Sequence, residues 1–168
     1  MRQKPVIDGF EFAESGKVLR GACPIMDFPR LRDLLHADAG VVEYAVSGAL
    51  DREGRPALRI ELRGTLNLSC QRCLQPLDFP VVLDALLTLA RSPSEGDADP
   101  VDSDIERVVA GKEMAVCGLL EDELLLSVPF APSHPVCTPE RIGESGRSSP
   151  FARLRGLLDP ESPGGRNQ

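Results

Sequence analysis

The chain has 168 residues, 42% of them hydrophobic and 27% charged, with a formal net charge of -7. That length supports one domain with a real core, and the acidic balance argues against a general nucleic-acid wrapper, which needs concentrated Lys and Arg. Aromatics are 4% of the chain with no Trp, so the core must be aliphatic, and no apolar run approaches the length that spans a bilayer. Met1-Arg2-Gln3-Lys4-Pro5 leads into mixed polar sequence and not an apolar signal core, so a cytoplasmic location with no membrane partner is expected. Thiols stay reduced there, and the five cysteines point to metal, catalysis or inert burial over a disulfide framework.

Taken in chain order, Asp27-Phe28-Pro29 opens a short helix, with Asp27 as cap and Leu31, Leu34 and Leu35 as its apolar stripe, stopped at Gly40. A strand follows with Val42, Tyr44, Val46 and Leu50 on one face, then a hairpin loop at Asp51-Arg52-Glu53-Gly54. The next strand puts Leu58, Ile60, Leu62, Leu66 and Leu68 on one side and Arg55, Arg59, Glu61, Arg63, Thr65 and Asn67 on the other. Such period-2 alternation means a sheet with one wet face. Leu77, Phe79, Val81, Leu83, Ala85, Leu87 and Leu89 make a third strand, antiparallel to the second. Residues 91–104 form an acidic loop without apolar period, and Ile105–Val109 a short strand or turn. A Leu-rich helix spans about Cys117 to Ser127 and ends at Pro129. Its Glu121, Asp122 and Glu123 are expected in the early turns, where negative charge suits the helix dipole.

Between the second and third strands lies Cys70-Gln71-Arg72-Cys73, and past the Leu-rich helix lies His134-Pro135-Val136-Cys137. Three thiols and one imidazole are a common ligand set for a tetrahedral structural Zn2+. Cys70 shares the parity of Leu68, so the thiols are expected at a hairpin tip, a zinc-knuckle-like corner tied to the loop after the helix. Such a site can stabilise a fold by on the order of 10 kcal/mol. Four protein ligands close the site, which favours a structural over a catalytic ion. A C-x-x-C pair can also shuttle disulfides, but this one stands between strands with no helix start beside it. Cys23 and Cys117, outside both pairs, are expected as buried small hydrophobes.

Arg55, Arg59 and Arg63 on one strand face, with Arg72 beyond them, read either as an ordinary solvated face or as an RNA-contacting stripe with a pitch suited to spaced phosphates. Tyr44 is the only Tyr, so base stacking on the sheet has little support. Neither a Ser-His-Asp pattern nor a Gly-rich phosphate loop is present. After residue 137 a polar linker leads to a short amphipathic helix at 149–158, whose Phe151, Leu154, Leu157 and Leu158 are candidate partner-binding residues, and then to a disordered tail.

Four segments together resemble the YceD family, the large ribosomal RNA subunit accumulation proteins, long carried as a domain of unknown function. They are Gly64-Thr65-Leu66-Asn67-Leu68-Ser69-Cys70-Gln71-Arg72-Cys73-Leu74-Gln75-Pro76, the helix from Leu119 to Pro129, Pro132-Ser133-His134 running to Cys137, and Ser149-Pro150-Phe151-Ala152-Arg153-Leu154. The resemblance spans roughly residues 10 to 158. It implies a role in synthesis, processing or stability of large-subunit (23S) ribosomal RNA, hence in ribosome assembly, and brings no enzyme activity and no catalytic residues. The partners it implies are ribosomal RNA, a large-subunit ribosomal protein or an assembly factor, with no DNA and no small-molecule substrate. The alternatives are a zinc-stabilised protein-interaction module without RNA contact and a C-x-x-C thiol oxidoreductase. The expected fold is α+β: a single domain over 1–137 with an antiparallel sheet of four or more strands and two or three helices, followed by a C-terminal arm over 138–168.

Overall fold

A computed structural model describes residues 4–96 and 106–137. The expected linker, the 149–158 helix with Phe151, Leu154, Leu157 and Leu158, and the tail lie outside the described residues. The fold is α+β. A short strand β1 (Val6–Ile7), helix α1 (Gly9–Ser15) and edge strand β2 (Val18–Pro24) precede β3 (Leu35–Ala37), β4 (Val41–Leu50), β5 (Pro56–Ser69) and β6 (Pro76–Ala90). A one-turn helix α2 (Pro93–Gly96), β7 (Glu106–Val109), β8 (Met114–Ala115) and helix α3 (Val116–Ser127) follow.

The main sheet runs β2-β4-β5-β6-β7, with β3 joined to the far end of β5 and β1 paired separately with β8. Its pairings are antiparallel except for β7, which lies parallel to β6 from Leu87↔Glu106 to Ala90↔Val109. The sheet is therefore mixed at this edge. Strands that follow one another in the chain and lie parallel cannot be joined by a tight turn.

Alternation decides which face is buried. Val42 and Val46 of β4 and Leu58, Ile60, Leu62, Leu66 and Leu68 of β5 are wholly buried, and Leu87 and Leu89 of β6 nearly so. At roughly 2 kcal/mol per buried aliphatic side chain, this face is the main favourable term in folding. α1 and α3 supply its cover, with Ala13, Leu120 and Leu124 in the same core. The short helix α1 is bounded by Asp8, whose carboxylate accepts from Glu11 N–H at 3.1 Å, and by Gly16 in the left-handed region at φ 60°. It ends against β4 so closely that a Cβ on Gly48 would stand 2.4 Å from the Phe12 carbonyl oxygen.

A helix opened by Asp27 does not form. The segment makes two 3-10 turns, Ile25–Asp27 and Arg32–Leu34, and then enters β3. The wholly buried residues are Ile25, Phe28 and Leu31, while Leu34 is exposed. Their spacing of three suits three residues per turn, and Leu35 is drawn into pairing with Leu68. The acidic triplet is likewise placed differently. α3 begins at Val116, so Glu121–Glu123 sit mid-helix, and Glu121 and Glu123 are buried. The Arg30 guanidinium donates to Glu121 at 2.9 Å and to Asp122 at 2.6 Å, clamping the 3-10 segment to α3. Among the described residues no helix is long and apolar enough to cross a membrane.

Among the described residues no ion pair is found for Glu123. Burial, with Glu106 and Asp122 nearby, pushes it up to about 7. A carboxyl raised in the folded state favours folding at low pH, and that contribution fades as pH rises from the ordinary carboxylate range through about 7. Glu123→Gln should therefore remove part of the alkaline loss, gaining roughly 2 kcal/mol more at pH 8 than at pH 5 in urea denaturation. An equal effect at both pH values would refute the assignment.

Candidate metal centre

β5 delivers its buried face directly to Cys70, which is wholly buried like Leu66 and Leu68 before it. The chain then reverses over Gln71–Gln75 and returns as β6. Leu74 N–H donates to the Cys70 carbonyl at 2.9 Å, and Cys70 N–H to the Gln75 carbonyl at 3.0 Å. Leu74 takes φ 59°, the only positive φ at a non-glycine among the described residues. A leucine there costs roughly 1 kcal/mol. The second arm begins where Pro129 prevents α3 from continuing. Pro132 is buried, and its carbonyl accepts from Gln71 N–H at 2.8 Å, stapling the two arms through their backbones.

These arms bring Cys70, Cys73, His134 and Cys137 together, their donor atoms all within 4.8 Å of one another. Cys70 Sγ lies 4.0 Å from Cys137 Sγ, and Cys73 Sγ 3.4 Å from His134 Nδ1. A tetrahedral zinc with ordinary bond lengths needs edges of about 3.8 Å between sulfurs and about 3.6 Å from sulfur to nitrogen. The donor set fits a metal of that kind. His134 Nε2 lies 3.0 Å from the Pro76 carbonyl. A proton on Nε2 would satisfy that carbonyl and leave Nδ1 as the donor toward the thiols, the outer-shell arrangement typical of a ligating His.

Electrostatics prepare the site for an ion. Burial pushes the Cys70 thiol up, but backbone N–H groups of His134, Arg72 and Cys73 outweigh it and bring it to about 5. Cys137 goes the other way, raised by burial and by the Cys70 and Cys73 thiols beside it. Three crowded sulfurs cannot all carry charge without a cation among them, and a divalent ion removes that conflict. Cys70, Cys73, His134 and Cys137 would together hold such an ion with four protein donors, which would supply rigidity rather than a site for a reacting water. The C-x-x-C pair lies between β5 and β6, and among the described residues no helix starts beside it.

The arginines of the wet face are differently placed. Arg55 donates to Asp51 at 2.7 Å, and Arg59 is paired with Asp84 across the β5–β6 register. Arg63 stands opposite Glu43 of β4. Arg72 lies in the knuckle and reaches the Cys137 carbonyl at 3.4 Å. The four do not form a stripe of uncommitted cations. Sequence reasoning missed the backbone staple from Gln71 to Pro132 and the Pro76 carbonyl behind His134. The prolines at 76, 132 and 135 were the available signal, since they fix extended chain on either side of the ligands. Cys23 and Cys117 are buried as expected, yet they meet each other, Sγ to Sγ, at 3.2 Å.

Leu74 is 70% exposed, so it gains little from burial while holding a left-handed backbone. Leu74→Gly should raise stability by about 1 kcal/mol in denaturant unfolding. A loss of stability would show that the leucine side chain holds the turn.

No solved structure matches the chain. The model of one family, described as large ribosomal RNA subunit accumulation protein YceD, matches residues 58–158, about three-fifths of the chain and both arms of the Cys–His cluster. By that match the chain belongs to the YceD family.

Proposed function

We propose that the chain is a non-catalytic factor of large ribosomal subunit assembly, supporting synthesis, processing or stability of 23S ribosomal RNA in the cytoplasm. The observation that carries this reading is the family match over residues 58–158. Residues 1–137 act as one domain, and Phe151, Leu154, Leu157 and Leu158 belong to an arm that engages a ribosomal protein or assembly factor. Zn2+ is the resident ion, held by Cys70, Cys73, His134 and Cys137, and supplies rigidity rather than reactivity. The four clustered donors and the fit of two of their separations to tetrahedral edges support this.

RNA is met through backbone phosphates on the wet face of the sheet. Arg55 and Arg59 must exchange a carboxylate for a phosphate to take part. Arg63 and Arg72 make no ion pair among the described residues and are the better contacts. Around a Cys3His zinc one negative charge is left over, and Arg72 beside Cys137 also offsets it. A second reading, a protein-interaction module without RNA contact, draws on exposed apolar residues in the two arms of the centre. Leu74 is 70%, Val136 92% and Phe130 105% exposed. Aromatic and aliphatic anchors of this kind are typical of protein interfaces.

Affinity purification of the tagged chain from cells, with both RNA and protein identified, separates these readings. Direct contact predicts 23S RNA binding by the purified chain, with a steep salt dependence whose slope falls by about two on replacing Arg63 and Arg72 by Ala. RNA recovered only through a protein partner would favour the second reading. Recovery of neither large-subunit RNA nor large-subunit protein would reject the assembly role. For the ion, the purified chain should carry one zinc, and Cys73→Ser should lose it together with roughly 3 kcal/mol or more of stability. A metal-free chain of unchanged stability would remove the ion from the account.

A further inference from the structure

Cys23 and Cys117 form a second thiol centre, 94 residues apart in sequence and remote in sequence from the four clustered ligands. Their sulfurs stand 3.2 Å apart, inside the contact distance of two unbonded sulfurs, and need to close by only about 1 Å to bond. Cys23 lies on edge strand β2, opposite Val42 of β4. Cys117 is the second residue of α3, a helix of 12 residues whose N-cap, Ala115, has no side chain to cap it. Both thiols line a cavity of about 220 Å³ together with Lys4, Gly21, Asp27 and Tyr44. Two cysteines packed as inert hydrophobes would need no opening beside them.

We infer that Cys23 and Cys117 are a redox-active dithiol that reacts with a small-molecule disulfide entering this cavity. Position divides the roles. Burial and the neighbouring Cys117 thiol push Cys23 up to about 12, so Cys23 keeps its proton and serves as the resolving thiol. Cys117, at the uncapped helix start, is the attacking sulfur. Its thiolate attacks one sulfur of the external disulfide, whose S–S bond breaks. One half leaves as a thiol, carrying the proton that Cys117 gave up. Cys23 then loses its proton, attacks Cys117 Sγ in the mixed disulfide and expels the other half as a second thiol. Two protein thiols are oxidised, and one external disulfide is reduced to two thiols. The closed form bonds β2 to the start of α3 and leaves the Cys–His centre untouched, so this site stands independently of the RNA reading.

The test exposes the purified full chain, as isolated, to oxidised glutathione, followed by acid quench, alkylation and non-reducing peptide mapping. The expected product is a Cys23–Cys117 linked peptide in most of the chains, reversed by dithiothreitol, with Cys70, Cys73 and Cys137 unlinked. Cys23→Ser should stop at a stable glutathione adduct on Cys117. Recovery of Cys23 and Cys117 as free thiols, under a dose that oxidises free cysteine added to the same tube, would overturn the proposal. Linkage of either to Cys70, Cys73 or Cys137, or a folded Cys23→Ser chain without adduct, would overturn it too. If that variant does not fold, the mapping of the unmodified chain decides alone.

Discussion

Everything in this molecule turns on four donor atoms, from segments about 60 residues apart, held within 4.8 Å of one another. The β5–β6 hairpin is long, 14 and 15 residues, and its tip is where a sheet would ordinarily fray. Here the tip is bound to the chain leaving α3. The backbone bond from Gln71 to Pro132 and the contact of His134 with Pro76 draw the same two segments together without any ion. A metal would add strength to a junction that the backbone already shapes, and the Cys70–Cys137 and Cys73–His134 separations stand close to tetrahedral edges. Leu74, held in a left-handed turn, is the local cost of reversing the chain in so few residues.

Charge is organised with similar economy. The acidic excess is not spread evenly over the sheet. Asp51 accepts from Glu53 N–H, Arg55 N–H, the Arg55 guanidinium and Thr88, so it closes the β4–β5 turn. Asp84 holds Arg59 across the β5–β6 pair, and Glu121 and Asp122 hold Arg30. Most of these pairs are surface-exposed on at least one side and contribute modestly to stability. Their larger effect is to fix the orientation of these arginines. Net charge alone therefore says little about where RNA could dock. Among the described residues Arg63 and Arg72 make no ion pair, unlike Arg55 and Arg59.

The sheet and the ligand set were legible in the sequence because their signals are local and periodic. Alternation in β5 carries its parity unbroken from Leu58 to Cys70, and β6 repeats it, so the thiols could be set at a hairpin tip by counting. The helix α1 was signalled by Asp8 and Gly16 at its ends, yet Phe10 and Phe12 give no helical stripe, and the signal went unread. Ile25, Phe28 and Leu31 fit a 3-10 period as well as a helical one, and only pairing of Leu35 with Leu68 decides against the helix. Partners distant along the chain left no trace in sequence at all. Arg30 finds Glu121 91 residues later, and Cys23 finds Cys117 94 residues later. The parallel setting of β7 is likewise a matter of topology, which composition does not record.

X-ray absorption at the zinc K-edge of the purified chain tests the central claim most directly, because it reads the ligand set rather than the amount of metal. The account predicts three sulfur scatterers at about 2.3 Å and one nitrogen at about 2.0 Å. A first shell of oxygen and nitrogen alone would contradict it, and the knuckle and the loop after α3 would then be joined by backbone contacts without a shared ion.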